Sequence, residues 1–229
     1  MKLKWDGVLT TTLVVCALIT TGLVVHREFF AGPPQSAALA QKPVLVQNWK
    51  SLLRLGVTLG PSGAPVQLME FADFECPFCG EFHKRLKLLR ERYPAQVSLT
   101  YVHFPLLGHR FALPAARVAE CAGEQGRFEP MYDHLFDDQD SFGLKPWSDY
   151  ASAAGVPDLT AFDRCVKSTD SVPNIEKGKA LGKELDVQGT PTLVVNGWKL
   201  DHPPGPEELD GIVKAVLAGK SPVTAVHGS

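Results

Sequence analysis

Two cysteines separated by two residues, Cys76-Pro77-Phe78-Cys79, are the residues best suited to chemistry in this chain. They follow the apolar run from Val66 to Phe71. They also open a stretch whose apolar positions, Cys79, Phe82, Leu86, Leu89 and Tyr93, recur at helical spacing. The spacing predicts strand, short loop and helix, with the first thiol at the helix start. Pro77 suits the first helical position, where its missing N–H is no loss, so Cys76 should sit where unpaired N–H groups and the positive end of the helix dipole favour a thiolate. That makes Cys76 the expected nucleophile, with Cys79 shielded behind it as the resolving thiol. The chemistry implied is thiol–disulfide exchange.

The elements that must position this pair can be read from the rest of the chain. With 229 residues, 45% hydrophobic and 21% charged, the chain has ordinary globular composition and enough length for a well-packed core with an appendage. A formal charge of −2 with no basic stripe argues against nucleic acid as a partner. At the N-terminus, Lys2 and Lys4 precede an uncharged apolar run from Gly7 to Val25. As a helix, Val8 to Val25 would span roughly 27 Å. That is close to the ~30 Å of a bilayer's hydrocarbon core. Residues 1–29 are therefore expected to be a signal anchor, with the lysines cytoplasmic and the remainder across the membrane. A cleaved signal peptide is the alternative, with Ala38-Leu39-Ala40 the nearest small-residue site.

Of the five cysteines, Cys16 falls in the apolar run, and Cys121 and Cys165 lie in predicted helical segments. An even remainder in an oxidising compartment makes Cys121 and Cys165 candidates for a structural disulfide, the alternative being two separately buried thiols. A zinc site would need a second ligand pair beside the first, and neither cysteine has one.

Residues 30–55, rich in Pro and Gly, read as a linker with a short apolar patch from Trp49 to Leu55. Val66–Phe71 and Val97–Val102 read as strands flanking the motif helix, a unit built for parallel pairing. From about 109 to 186 the texture is helical, broken near Gly123–Gly126, Gly143, Gly155–Pro157 and Pro173. Thr192–Val195 reads as a strand, Asn196-Gly197 as a hairpin turn into Trp198–Leu200, and Pro206 as the start of a closing helix that stops at Gly219. Asp73 and Glu75 read as solvated loop acids and His83 as a solvent-facing helix residue. His103 and His109, flanking Phe104-Pro105, either border the site or serve the loop.

The order of parts, with Glu70-Phe71-Ala72-Asp73-Phe74-Glu75 leading into the cysteine pair and Gly189-Thr190-Pro191-Thr192 directly before a strand, resembles the DsbA-like thiol–disulfide oxidoreductases of bacterial cell envelopes. The resemblance covers about Gly56 to Gly219. It implies an α/β, thioredoxin-like fold over 56–220 with an inserted α-helical subdomain at about 109–186, preceded by the anchor helix and followed by a flexible tail at 221–229. It implies a cis bond before Pro191, which faces the disulfide, with Thr190 beside it offering its backbone to an extended substrate. Pro77, Phe78, Thr190 and Pro191 would form the substrate-binding surface. Glu70 matches a buried acid that can relay a proton to and from Cys79. Many relatives carry a His where this chain has Phe78, and Phe offers no side-chain hydrogen bond to a Cys76 thiolate. That departure puts the direction of electron flow in question.

The activity implied is oxidation of cysteine pairs in unfolded or reduced secreted proteins, on the extracytoplasmic side of the membrane. A quinone-linked membrane partner would reoxidise the pair, with no bound cofactor or metal. The chain is expected to be a monomer, since envelope isomerases of this fold dimerise through a dedicated N-terminal domain for which 30–65 is too short. Isomerase or membrane-fed reductase activity is the first alternative. A non-catalytic, membrane-tethered chaperone-like binding domain is the second, and it would not need either cysteine of the pair.

Overall fold

The computed structural model describes residues 13–22 and 42–226. Residues 13–22 are helical, and the rest of the predicted anchor lies outside the described residues. Among the described residues no helix is long and apolar enough to cross a membrane.

Residues 42–226 build on a six-stranded sheet, in chain order β1 (Val44–Leu45), β2 (Val57–Leu59), β3 (Val66–Ala72), β4 (Val97–His103), β5 (Thr192–Val195) and β6 (Trp198–Lys199). The spatial order is β1-β6-β5-β3-β4-β2. β3 and β4 pair in parallel, and the other neighbours are antiparallel. The helices are α1 (Trp49–Leu52), α2 (Pro77–Arg92), α3 (Ala112–Gly123), α4 (Phe128–Asp137), α5 (Trp147–Ala153), α6 (Leu159–Lys167), α7 (Pro173–Glu184), α8 (Pro206–Leu217) and α9 (Val223–Val226). Helices α3 to α7 lie between β4 and β5, as a helical insertion in a strand–helix–strand frame.

Strand periodicity divides the core in two. Along β3, Leu68 and Ala72 join Phe82, Leu86 and Leu89 of α2 and most of the insertion in one cluster. Met69 and Phe71, pointing the other way, join Val46, Val102, Leu181 and Val194 in a second. Each fully buried Phe or Leu contributes about 1.5–3 kcal/mol. The first cluster therefore holds α2 firmly on the sheet. By the same alternation Glu70 falls on the face of Leu68 and Ala72, beneath the motif helix. On the opposite face α7 lies tight against β4, because a Cβ on Gly178 would fall on the His103 carbonyl. The β5–β6 turn uses Asn196 at φ 44° and Gly197 at φ 91°, the left-handed pair a two-residue hairpin needs.

Two expectations are corrected. Residues 42–55, read as linker, carry β1, α1 and a 3-10 turn at Leu53–Leu55, and Trp49, Leu52, Leu53 and Leu55 pack on the second cluster. The tail from 221 holds α9, and Ala225 packs against the main cluster. The helix break expected near Pro173 lies between α6, which ends at Lys167, and α7, which takes Pro173 into its first turn, where proline is tolerated.

Cys121 of α3 and Cys165 of α6 are joined by a disulfide, with Cα atoms 5.8 Å apart and a sequence separation of 44. Closing a loop of that length restricts the unfolded chain. Replacing both cysteines with Ala is therefore expected to lower the unfolding free energy by about 2–4 kcal/mol. The change should appear as a lower urea midpoint, with a steeper slope because the uncrosslinked unfolded chain exposes more surface. An unaltered midpoint would deny the bridge any stabilising role.

Candidate active site

The redox turn is built from the end of β3 and the start of α2. Cys76 is the N-cap of α2, at φ −71° and ψ 119°, and Pro77 follows in the first turn. The turn closes through the Cys76 N–H donating to the Asp73 carbonyl at 3.1 Å, and the Cys79 and Gly80 N–H groups donate to the Cys76 carbonyl at 3.0 and 3.1 Å. Both cysteines are free thiols. Cys76 is 3% exposed and Cys79 not at all. Cys76 thus presents only a sliver of surface, and Cys79 is shielded behind it as expected. Pro77 is exposed beside it, and Phe78 is 72% exposed.

The two thiols ionise very differently. The Cys79 thiol donating to Cys76 outweighs the cost of burial, and the Thr190 side chain and the backbone N–H groups of Cys79 and Phe78 add to the pull, so Cys76 falls to about 5. Phe78 therefore serves the thiolate through its backbone, although its ring cannot. Burial, the hydrogen bond to Cys76 and the charge of Glu70 push the Cys79 thiol far above its ordinary value.

The Thr190–Pro191 peptide is cis. Cys76 Sγ lies 3.5 Å from the Thr190 carbonyl oxygen, to which it donates when protonated. Pro191 is buried beside it at the entry to β5.

Glu70 is completely buried, and neither carboxyl oxygen has a hydrogen-bond partner among the described residues. Its register neighbours are Tyr101 on β4 and Leu193 on β5, so no opposite charge reaches it along the sheet. Burial, with the charge of Cys76 adding to it, pushes its carboxyl up to about 8. It is therefore a protonated acid at neutral pH, under the helix that carries Cys79.

Several polar residues differ from the sequence reading. Asp73 is buried, and its carboxylate accepts from the Glu75 N–H at 2.8 Å, the Leu106 N–H at 2.9 Å and His109 Nδ1 at 2.7 Å. Glu75 accepts from the Phe111 N–H. Neither is a free loop acid, because the segment leaving β4 folds back over the turn and its N–H groups find their acceptors there. His83 is buried too, stacked on Phe136 at 5.1 Å and edge-on to Tyr132 at 4.9 Å, because α4 covers a second side of α2. Burial brings His83 down to about 4. Its Nε2 is 3.6 Å from both Asp133 and Asp137. His103 belongs to the core, with Nε2 on Glu120 at 2.8 Å and Glu120 held in turn by Asn174 at 2.7 Å. Gln139, from the insertion, donates to the Phe74 and Cys76 carbonyls and lies over Gly80, where a Cβ would meet its side chain. Gln139 is more than sixty residues from the motif, and nothing in its sequence context marks it.

Comparison with known proteins gives this geometry its context. The family model described as thioredoxin matches residues 54–215. The Na+/H+ antiporter NhaA 1 of Mycolicibacterium vanbaalenii is 36% identical over 167 residues, covering 70% of this chain and 26% of that protein. NhaA 3 of Salinispora tropica is 34% identical over 160 residues, covering 69% and 24%. The chain thus spans about a quarter of the length of the curated relatives it matches. Among solved structures, a thioredoxin-like oxidoreductase from Silicibacter pomeroyi is 26% identical with a TM-score of 0.61, covering 71% of this chain and 94% of that one. Two more distant structures share the fold. BdbD from Bacillus subtilis has a TM-score of 0.67 at 21% identity, covering 78% and 100%, and Wolbachia pipientis α-DsbA1 has 0.60 at 20%, covering 74% and 94%. The match runs from the 3-10 turn before β2 into α8, and the chain belongs to the thioredoxin family.

Proposed function

We propose that this protein donates disulfides to reduced, extended protein segments on the extracytoplasmic side of a membrane to which residues 1–29 anchor it. The observation that carries this reading is the split between the two thiols, Cys76 held as a thiolate and Cys79 held as a thiol. Stabilising the reduced pair in this way makes the oxidised pair a stronger oxidant.

In the forward reaction a substrate thiolate attacks Cys76 Sγ, and the Cys76–Cys79 bond breaks with its electron pair leaving on Cys79. A thiolate at Cys79 is a poor leaving group in its apolar surroundings, and the buried Glu70 carboxyl supplies the proton it needs. The second substrate thiol returns a proton to Glu70 and attacks the substrate sulfur of the mixed disulfide. Cys76 leaves as the stabilised thiolate. The substrate loses two electrons to the protein pair, and protons balance without net uptake. Pro77, Phe78, Thr190 and Pro191 form the substrate surface in this reading, with Phe78 an exposed apolar contact for unfolded chain. Reoxidation is assigned to a quinone-linked membrane partner, and the monomer is taken as the working unit.

The direct test is the reduction potential of the Cys76/Cys79 couple, by equilibration with glutathione. A value well above about −200 mV is expected, whereas one near or below about −270 mV would make the protein a reductant.

Two further outcomes follow from the ionisation pattern. Reduced wild type should show an ultraviolet thiolate absorbance titrating near 5 that Cys76→Ser lacks. Because the folded value lies below the ordinary 9.0, this thiolate's contribution to stability is present at high pH and lost as pH falls through about 5. The stability of reduced wild type relative to Cys76→Ser should therefore grow with pH across that window. Glu70 acts with the opposite sign. Its folded value is raised from 4.5 to about 8, so stability is full below 4.5 and declines as pH rises through 8. Glu70→Gln should flatten that decline in urea-unfolding midpoints while slowing oxidation of a dithiol peptide by at least about tenfold. An unchanged rate would remove Glu70 from the proton transfer.

A further inference from the structure

The charge environment of Cys76 contains a component that neither the cysteine motif nor the helix start supplies. Asp73 is 1% exposed and three residues from Cys76, and its carbonyl receives the Cys76 N–H at 3.1 Å. A carboxylate there would oppose a thiolate at Cys76 by like-charge repulsion. The same carboxylate, however, binds His109 Nδ1 at 2.7 Å. His109 is carried to this position by the segment that leaves β4, which is pinned to the redox turn at two further points. The Leu106 N–H donates to Asp73 at 2.9 Å, and the Phe111 N–H donates to Glu75.

We propose that His109, seated on the buried Asp73 carboxylate, is the cationic partner of the Cys76 thiolate, supplying from the 104–111 segment the positive charge that Phe78 cannot provide. The inference rests on the reading of Cys76 as the nucleophile. His109 acts here as a positioning and electrostatic residue: an imidazolium there cancels the field of Asp73 at Cys76 and leaves the helix-end N–H groups to hold the sulfur.

The charged groups facing His109 from the redox turn are Asp73, Glu75 and Cys76. Arg110, next in the chain, is turned over the Phe111 ring at 5.1 Å. Partial burial works against the imidazolium, but the Asp73 hydrogen bond and the charges of Asp73, Cys76 and Glu75 prevail and hold His109 above its ordinary value. The imidazole is about a quarter exposed, with 27% of its side chain accessible, so it exchanges protons with solvent readily.

Because coupling is reciprocal, oxidising the pair must loosen the His109 proton by the same factor that His109 tightens the thiolate. The first measurement is therefore on the wild-type full chain, following an imidazole proton resonance of His109 through a pH titration in both redox states. Proton affinity about tenfold higher in the reduced protein is expected. A difference below about twofold would overturn the proposal. In parallel, His109→Gln should lower the thiolate-to-thiol ratio of Cys76 about tenfold and the reduction potential by the corresponding 30 mV or so. His109→Arg, which keeps a cation able to donate to Asp73, should restore both, and high salt should narrow the gap between wild type and His109→Gln. Equal Cys76 midpoints in wild type and His109→Gln would overturn the assignment. A wild-type Cys76 that titrates like an ordinary thiol would instead sink the nucleophile reading on which it rests.

Discussion

A negative charge on Cys76, a residue only 3% exposed, has to be held by the protein, because little water reaches it. The start of α2 is organised around that requirement. Pro77 lets the helix begin without a wasted donor, and the N–H groups of Phe78 and Cys79 and the Cys79 thiol converge on Cys76. The cost falls on the neighbour, since a dry pocket that favours one thiolate makes a second one prohibitive. Cys79 and Glu70 both stay protonated for that reason. The same apolar packing that fixes α2 on the sheet thus sorts the ionisable groups beneath it.

The helical insertion takes part in this arrangement. Gln139 reaches from the insertion to the Phe74 and Cys76 carbonyls, and α4 seals the flank of α2 through Tyr132 and Phe136 against His83. The strands and the insertion meet at the redox turn, with the β4-exit segment closing the third side through Leu106, His109 and Phe111.

What could be read from sequence is what local periodicity dictates. Val66–Ala72, α2, the Asn196-Gly197 hairpin and α8 each carry a repeat or a turn residue strong enough to stand alone. Glu70 was legible as a buried acid only through a family resemblance, and the alternation along β3 explains why it faces the helix. The strands at 44–45 and 57–59 were missed because two or three residues carry no period, and their pairing is decided by distant partners, Trp198–Lys199 and Leu99–Tyr101. Asp73, His83 and Gln139 escaped for the same reason. Whether a polar side chain is solvated or satisfied depends on which segment returns over it, and those segments come from 33 to 65 residues away in the chain.

The division of the sheet into two separate cores sets different rules for inheritance on its two sides. On the face of Met69, Phe71, Leu181 and Val194, residues need only fill volume, so matched apolar exchanges can accumulate there without reaching a sulfur. On the face of Leu68, Glu70 and Ala72, the same change in size would alter the dryness that governs the chemistry. Successive residues of a single strand are therefore exposed to alternating kinds of selection. Lineages of this fold can diverge widely on one side of β3 while the other side stays bound to its task.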